Sequence, residues 1–175
     1  MIYFVRHGQT DWNKLGRIQG HSDTELNEEG KNQAQIVKEK LSGVKFDKVF
    51  SSPLKRARET AQIICNQEII FDDRLKERFN GELEGKFKSE IKVFPGFNDP
   101  NDTRFGIESL KDFKQRINNF LDEITKNYKN QNVLVVTHGG VCLYVRCYFE
   151  GEPNENLYEK YKLENCEVLC YDNSI

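Results

Sequence analysis

Two of the three histidines in the chain occupy the same local setting, in which an apolar run ends in a His-Gly pair. The first is His7 in "FVRHGQT" (4–10), and the second is His138 in "VVTHGGV" (135–141). An unprotonated imidazole is a nucleophile or a general base near neutral pH, and its N–H group is a hydrogen-bond donor. The repeated pattern predicts that the two rings serve one reaction if the fold brings them together.

A third segment supplies an arginine at the expected start of a helix. "VFSSPLKRARETA" (49–61) contains another apolar run, and we predict that Pro53 occupies the first helical position with Arg56 in the first turn. Helix N-termini and guanidinium groups both bind anions. With Arg6 directly before His7, the chain offers two guanidiniums and two imidazoles, a set that phosphate matches in charge and shape.

Apolar runs alternate with helical patterns along the chain, which is typical of an α/β domain with a largely parallel sheet. We expect a three-layer α/β/α arrangement around a mostly parallel central sheet. In open sheets of this kind ligands bind beyond the carboxyl ends of the strands, so His7 and His138 are expected in one crevice. The predicted strands are 2–5, 48–50, 68–71, 132–137 and 167–171.

Three stretches carry apolar residues at helical spacing, and each is expected to pack one face on the sheet. The clearest helix begins at Ser109, where Asp112 completes a predicted capping box, and we assign its aromatic residues to the core. The apolar faces comprise Ala34, Val37 and Leu41; Leu54, Ala57, Ala61 and Ile64; and Leu110, Phe113, Ile117, Phe120, Leu121 and Ile124.

The stretch from Asn80 to Gly106 interrupts this alternation. It holds six Gly or Pro residues between scattered phenylalanines, a composition that favours irregular structure. Since 175 residues are few for two domains, we interpret 80–106 as a cap inserted into a single domain spanning 1–175.

Composition argues against several classes of partner. The 26 Lys and Arg residues are balanced by 28 Asp and Glu, and this net charge of -2 provides no basic field for nucleic acid or anionic lipid. No apolar stretch approaches the roughly 20 residues that span a bilayer, and no signal-peptide pattern opens the chain, so we predict a cytoplasmic protein. The five cysteines contain no C-x-x-C pair, which predicts buried, reduced thiols and no metal site.

Seven segments, in order, carry a family resemblance over nearly the whole chain: "RHGQTDWN", "GRIQGHSDTELNEEGKNQA", "SSPLKRARETA", "LKERFNGELEG", "ESLKDFKQR", "VTHGGV" and "LENCEV". A single Arg-His-Gly is weak evidence, whereas this ordered series is specific. The chain resembles the histidine phosphatase superfamily, also called phosphoglycerate-mutase-like.

The resemblance implies a role for each candidate residue. His7 is expected to be the nucleophile, Glu77 the proton donor, and Arg6, Arg56 and His138 a phosphate clamp. The implied catalytic residues are His7, Glu77, His138, Arg6 and Arg56, and the implied substrate-binding residues are Arg6, His7, Asn13, Arg56, His138 and Gly139. Neither a metal nor another cofactor is implied.

The chemistry makes these assignments intelligible. Histidine attacks phosphorus only through an unprotonated nitrogen, so His7 is expected to be neutral and to pass through a phosphohistidine. Its other nitrogen needs an acceptor, for which the Gly8 carbonyl is suitable, and a side chain at Gly8 is expected to crowd the pocket. Glu77 must be protonated when it meets the leaving oxygen and ionised when it activates water. His21 is expected in a loop or at the rim, outside the catalytic set.

Some of these residues have a simpler interpretation. Thr10 and Asn13 are also the types that merely cap a turn. Glu77 has two rivals nearby, Glu82 and Glu84, and only the motif alignment favours it.

The resemblance leaves the reaction open between a phosphatase and a mutase. Cofactor-dependent phosphoglycerate mutases resemble this chain but are longer and carry a tandem Arg pair, whereas this chain has no adjacent arginines and has Asn80 where mutases usually carry Tyr. We therefore favour a metal-independent phosphomonoesterase of a small phosphorylated metabolite. The alternatives are a phosphoglycerate mutase and a non-catalytic phospho-ligand binding module. Phosphoglycerate, sugar phosphates and α-ribazole phosphate all remain candidate substrates, and the oligomeric state stays open.

Overall fold

The structure, a computed structural model, describes residues 1–96, 99–153 and 156–174. Five strands and six helices form within these ranges. The strands are β1 (Ile2–Arg6), β2 (Lys48–Ser51), β3 (Ile70–Phe71), β4 (Val133–Thr137) and β5 (Val168–Tyr171). The helices are α1 (Asp11–Lys14), α2 (Glu28–Lys40), α3 (Lys55–Ile64), α4 (Leu110–Asn127), α5 (Gly139–Glu150) and α6 (Leu157–Tyr161).

The strands form one sheet in the order β3-β2-β4-β1-β5. β5 is antiparallel to β1, and the other neighbours are parallel, so the sheet is mostly parallel as predicted. β4 lies at the centre, and its five residues are all buried, as their unbroken apolar run requires.

Helices cover both faces of the sheet, which confirms the three-layer α/β/α arrangement. One core contains buried residues of α4 and α5, and the other contains buried residues of α2 and α3. Members of the first core include Phe113, Phe120, Ile124, Val141 and Val145, and members of the second include Ala34, Val37, Ala57, Ala61 and Ile64. The aromatic residues of α4 are therefore core residues, as the sequence predicts.

Two predicted boundaries were wrong. β3 is confined to Ile70–Phe71, short of the predicted run from residue 68. Pro53 does not occupy the first helical position, because α3 begins at Lys55 and Leu54 is its N-cap in an extended conformation. Two bonds place the helix start there: Ser52 Oγ accepts from the Leu54 N–H at 3.3 Å, and a distant Asp23 carboxylate accepts from the Lys55 N–H at 2.6 Å.

The N-terminus of α4 agrees with the prediction in its cap residue but not in the full capping box. Ser109 is the N-cap, and its hydroxyl oxygen accepts from the Asp112 N–H at 3.0 Å. The Asp112 carboxylate accepts from the Ser109 hydroxyl at 2.7 Å rather than from the Ser109 backbone N–H. The cap still satisfies one of the unpaired N–H groups of the first turn.

The segment from residue 80 to residue 106 consists of irregular backbone with three 3₁₀ turns, at Gly81–Leu83, Lys88–Glu90 and Arg104–Gly106. Residues 97 and 98, which belong to the expected cap, lie outside the described residues. A small cluster of buried side chains, separate from the two main cores, anchors the rest of the segment to the loop after α1. Its buried members are Ile18, Leu83 and Ile107.

All five cysteines are free thiols, as predicted, but the expectation that they are buried was correct only in part. Cys142 and Cys166 are buried, whereas Cys170 is exposed. Cys170 belongs to β5, an edge strand with fewer neighbours to cover it. Across the described residues, no helix combines the length and the apolar character that a membrane span needs.

Close backbone packing joins the segment after β1 to the start of α2. A Cβ atom on Gly30 would overlap the Gln9 carbonyl oxygen and lie 2.7 Å from the Gln9 nitrogen. Gly30 stands in the first turn of α2, where its N–H donates to the Asn27 side chain at 2.9 Å. The absence of a side chain at Gly30 therefore lets α2 approach the segment that carries His7.

Replacing Gly30 by alanine is expected to destabilise the protein, because the added methyl group meets rigid backbone and not a movable side chain. We expect a loss of about 1–3 kcal/mol in the free energy of unfolding, the range typical of overpacking. Urea unfolding followed by circular dichroism measures it. Gly43→Ala is the matched control, since a Cβ there has no neighbour within 4 Å. Equal stability of the two variants would contradict this account of the packing.

Candidate active site

The carboxyl ends of β1 and β4 bring two histidines together. The strands pair with Arg6 opposite Thr137, and the His7 N–H donates to the Thr137 carbonyl at 2.8 Å. The next residue along each strand is a histidine, and the ring centroids of His7 and His138 lie 5.1 Å apart. Both side chains are buried, with 3% and 0% of their surface exposed. The two imidazoles therefore lie in one crevice.

The contacts of His7 define which of its nitrogens is free to react. Nδ1 lies 2.7 Å from the Gly8 carbonyl oxygen, which can only accept, so Nδ1 carries the proton. Nε2 accepts from Arg56 Nε at 3.2 Å and therefore bears a lone pair. Burial first, then the positive charges of Arg56 and Arg6, hold the pKa of His7 well below its usual value. His7 is thus a neutral imidazole with an unprotonated Nε2.

Gly8 holds the His7 ring as predicted, but the reason why this position needs glycine differs from the predicted one. Its carbonyl accepts from His7 Nδ1 as predicted, and its N–H donates to Thr60 Oγ1 at 3.0 Å. A Cβ atom on Gly8, however, would overlap the Gly30 carbonyl rather than fill the phosphate pocket. The residue must be glycine because helix α2 packs against it.

Arg56 is a buried guanidinium, only 1% exposed, and does not belong to a solvated helix face. Nη1 donates to the Ser22 carbonyl at 2.9 Å, and Nη2 donates to the Gly20 carbonyl at 2.8 Å. Burial lowers the pKa of Arg56 to about 10, so the group remains charged at neutral pH. The two carbonyl bonds fix its orientation, with Nε directed at His7.

Arg6 is held by the segment before β5. Its Nη1 donates to the Leu163 carbonyl, and its backbone carbonyl accepts from the Cys166 N–H at 3.0 Å. Asn165 Nδ2 donates to the His7 carbonyl at 2.9 Å. No role was predicted for Leu163, Asn165 or Cys166, and the only signal for them in the sequence is their presence in "LENCEV".

His138 has one satisfied and one unsatisfied ring nitrogen. Nε2 lies 2.8 Å from Ser52 Oγ, whereas Nδ1 is buried without a hydrogen-bond partner in the described part of the chain. Burial is the main cause that lowers the pKa of His138, followed by the charge of Arg56. Arg6 Nε is likewise buried and unpartnered among the described residues. Buried polar atoms without partners mark the positions where a bound ligand is expected to complete the bonding.

Asn13 and Gly139 lie at the two helix starts beside the histidines. Thr10 caps α1, and the Asn13 side-chain oxygen accepts from the Thr10 N–H at 3.1 Å. These two residues therefore do cap a turn. Asn165 Nδ2 also lies 3.5 Å from Asn13 Oδ1. Gly139 opens α5, and a Cβ atom there would lie 3.3 Å from Arg6 Nε. Glycine at this position lets the Arg6 guanidinium lie against the helix start.

Glu77 reaches the same helix start from the loop before the irregular segment. Its Oε2 accepts from the Gly140 N–H at 2.9 Å, and its Oε1 accepts from the Arg78 N–H at 2.9 Å. A Cβ atom on Gly140 would overlap Oε1, so the close approach depends on this glycine. The Glu77 carboxylate is thus bonded to the N-terminus of α5 at Gly140, which follows His138 by two residues.

The two rival carboxylates lie elsewhere. Glu82 is exposed. Glu84 accepts from the backbone N–H groups of His21 and Ser22, both at 2.8 Å, and so orders the loop whose carbonyls hold Arg56. Glu77 is therefore the carboxylate that the structure brings to the two histidines.

Arg116 and His21 fix the backbone of Glu77. The Glu77 carbonyl accepts from Arg116 Nη2 at 2.9 Å and lies 2.7 Å from His21 Nε2. Arg116 also donates to the Lys76 carbonyl at 2.7 Å and to the Glu108 carboxylate. No role was predicted for Arg116, because its partners are distant in sequence. The prediction that His21 lies in a loop was correct.

The assembled site is a positively charged, largely buried crevice with one carboxylate at its edge. In the described part of the chain, the hydrogen bonds of both guanidiniums go to neutral acceptors, namely carbonyls and the His7 ring. Their charge is therefore available to an anion, and fixed donors of this kind stabilise a phosphoryl group during transfer. His7 Nε2 supplies a nucleophile in the same crevice.

Comparisons with known proteins agree with this chemistry. A family model of the histidine phosphatase superfamily (branch 1) matches residues 2–173. The chain is 41% identical to phosphoglycerate mutase-like protein 4 of Arabidopsis thaliana, over 91% of this chain and 74% of the relative. It is 39% identical to a metal-independent phosphoserine phosphatase of the same plant, over 83% of this chain and 67% of the relative.

A solved structure has the same fold. The phosphoserine phosphatase of Entamoeba histolytica, in complex with 3-phosphoglyceric acid, superposes with a TM-score of 0.80 at 30% identity. The match covers 95% of this chain and 87% of that chain. The chain therefore belongs to the histidine phosphatase superfamily (branch 1) and is a phosphatase of small phosphorylated metabolites.

Proposed function

We propose that the chain hydrolyses small phosphomonoesters in two steps, by transferring the phosphoryl group first to His7 Nε2 and then to water. One observation carries the proposal: a neutral His7 whose Nδ1 proton is held by the Gly8 carbonyl presents its Nε2 lone pair among unneutralised cations. A histidine with that tautomer and that surrounding charge is activated for covalent attack on phosphorus.

In the first step the Nε2 lone pair forms the N–P bond while the ester P–O bond breaks. The departing oxygen takes a proton from the Glu77 carboxyl group. In the second step Glu77 accepts a proton from water as the water oxygen bonds to phosphorus, and the N–P bond breaks to release phosphate. Glu77 is then protonated and His7 is neutral again, so protons and electrons balance over the cycle.

The clamp acts on the phosphoryl oxygens. Arg6, Arg56 and His138 donate to the charge that spreads over the three equatorial oxygens, at about 1.5–3 kcal/mol per charged hydrogen bond. Asn13 and Gly139 belong to the same binding surface. Because two guanidiniums supply the neutralising charge, we propose that catalysis needs no metal.

The specificity is proposed to come from residues 80–106, acting as a cap within one domain of residues 1–175. Two similar proteins are named as phosphoserine phosphatases, and one of them holds 3-phosphoglyceric acid in its structure. Phosphorylated three-carbon acids are therefore the first substrates to test. The proposed compartment is the cytoplasm, a prediction that rests on composition and that fractionation of the source cells tests.

The wild-type protein is expected to release phosphate from O-phosphoserine or 3-phosphoglycerate in the presence of EDTA. With 3-phosphoglycerate and a 2,3-bisphosphoglycerate primer, formation of 2-phosphoglycerate should be slower than phosphate release, because no tandem Arg pair retains the substrate while it reorients. Both products are measured on one preparation. Faster isomerisation would support the mutase, and a rate lost in EDTA and restored by Mg²⁺ would contradict metal independence.

His7→Ala is expected to abolish the phosphoenzyme, since no second nucleophile occupies that position in the clamp. Rapid quench with ³²P-labelled substrate measures an acid-labile, base-stable adduct on the protein. His21→Ala is the control: the His21 ring contacts the Glu77 carbonyl, so this variant can change the rate, but it removes a histidine outside the clamp and should still form the adduct. An undiminished adduct on the His7→Ala protein would show that another residue is the nucleophile.

Glu77→Gln is expected to slow hydrolysis by about 10²–10⁴-fold for alkyl phosphates, which need a proton on the leaving oxygen. For p-nitrophenyl phosphate the transfer to His7 should be far less affected, because the phenolate leaves unaided. Single-turnover rates for the two substrate classes measure the difference. Glu82→Gln, an exposed neighbour of the same type, is the control. Equal losses for both leaving groups would contradict the role of Glu77 as proton donor.

A further inference from the structure

Ser52 is the one side chain that is hydrogen-bonded to His138 in the described part of the chain. Its Oγ lies 2.8 Å from His138 Nε2, and the residue is fully buried. Ser52 follows β2, and its N–H donates to the Val136 carbonyl of β4 at 3.0 Å. The sheet therefore fixes Ser52 beside His138.

A hydroxyl can donate one hydrogen bond and accept two, so the other contacts of Ser52 Oγ decide the direction of the Ser52–His138 bond. Ser52 Oγ accepts from the Leu54 N–H at 3.3 Å, at the start of α3. No other acceptor for its proton is present among the described residues, so we take the hydroxyl to donate to His138 Nε2. The carbonyl of Ser52 meanwhile accepts from the Ser51 hydroxyl at 2.9 Å, which leaves Ser51 no part in the His138 bond.

An acceptor at Nε2 requires a neutral imidazole to carry its proton on Nδ1. Nδ1 is the buried nitrogen for which the described residues supply no partner. Burial, followed by the charge of Arg56, lowers the pKa of His138 and so favours its neutral form. With the opposite tautomer, a Nδ1 lone pair would face the phosphoryl oxygens and repel them.

We propose that Ser52 is a positioning residue that holds neutral His138 as its Nδ1–H tautomer, so that the clamp presents a donor to the phosphoryl group. This proposal rests on the proposed function, because only a phosphoryl-transfer site needs His138 Nδ1–H as a donor to the phosphoryl group. The side-chain contacts of Ser52 in the described part of the chain are with His138 and the Leu54 N–H. It acts through the ring of His138, in the way that outer partners of metal-bound histidines fix the tautomer.

The tautomer can be measured directly by two-bond ¹⁵N–¹H correlation spectra of protein labelled with ¹⁵N-histidine. Only three histidines are present, so single His→Asn substitutions assign the signals. At pH 8 the wild-type His138 should show a protonated Nδ1 and an unprotonated Nε2. Ser52→Ala should turn this into a mixture of the two tautomers.

The kinetic effect should accompany the spectral one. Ser52→Ala is expected to lower kcat/KM about tenfold, the loss of one hydrogen bond to a group of the clamp, and to weaken vanadate inhibition to a similar degree. Ser51→Ala is the matched control: it removes the neighbouring buried hydroxyl, which bonds only to backbone, and should leave the His138 tautomer unchanged.

Two results overturn the proposal. One is a wild-type His138 protonated on Nε2, which is decisive even if Ser52→Ala does not fold. The other is a folded Ser52→Ala protein that keeps the wild-type tautomer. The spectra require no turnover, so they separate a failure of this proposal from a failure of His7 as nucleophile, which is detected as the absence of a phosphoenzyme.

Discussion

The site depends on one constraint above all, the in-register parallel pairing of β4 with its two neighbours. Arg6 of β1 lies opposite Thr137, and Ser51 of β2 lies opposite Val136. His7, which follows β1, is therefore level with His138, and Ser52, which follows β2, is level with Thr137, one residue earlier. His138 lies between them and contacts both. Because side chains alternate between faces, a slip of one residue in either pairing would reverse the facing of every side chain on the strand. Both faces of β4 are apolar, so the close packing of side chains of different shape in the two cores, rather than their polarity, opposes that slip.

Burial of charge is the second condition, and it sets what the site can bind. The Arg56 guanidinium is almost completely buried, and carbonyls rather than carboxylates receive its bonds. Removing a cation from water without an opposite partner is costly, so the free protein holds this charge at the expense of stability. An entering phosphate supplies the missing anion. The loop that provides the carbonyls is itself ordered by Glu84, which makes no direct hydrogen bond to Arg56 among the described residues and acts on it through the loop and through its charge.

The sequence was sufficient to predict features that depend on local patterns, and insufficient for features that depend on distant contacts. Apolar runs located the strands before His7 and His138, because a buried parallel strand needs an unbroken apolar run. The start of α3 was misplaced because Asp23, remote in sequence, bonds to the helix start. Position 8 needs glycine because the Gly30 backbone packs against it, and no local sequence pattern reveals this contact. The contacts of Arg116 and Asn165 likewise join segments far apart in the chain.

The contact between Arg56 and His7 keeps the nucleophilic nitrogen of His7 unprotonated in the free site. In the absence of substrate, Arg56 Nε–H occupies the Nε2 lone pair, and burial together with the nearby cations disfavours a proton there. The two Nη bonds to the Gly20 and Ser22 carbonyls do not depend on His7, so they can hold the guanidinium in place when the Nε bond is released. In the proposed reaction, a phosphoryl oxygen that accepts from Arg56 Nε would free the His7 lone pair beside the phosphorus that it attacks. The Arg56 guanidinium would thereby bond to the nucleophile before substrate binds and stabilise the transferred phosphoryl group afterwards.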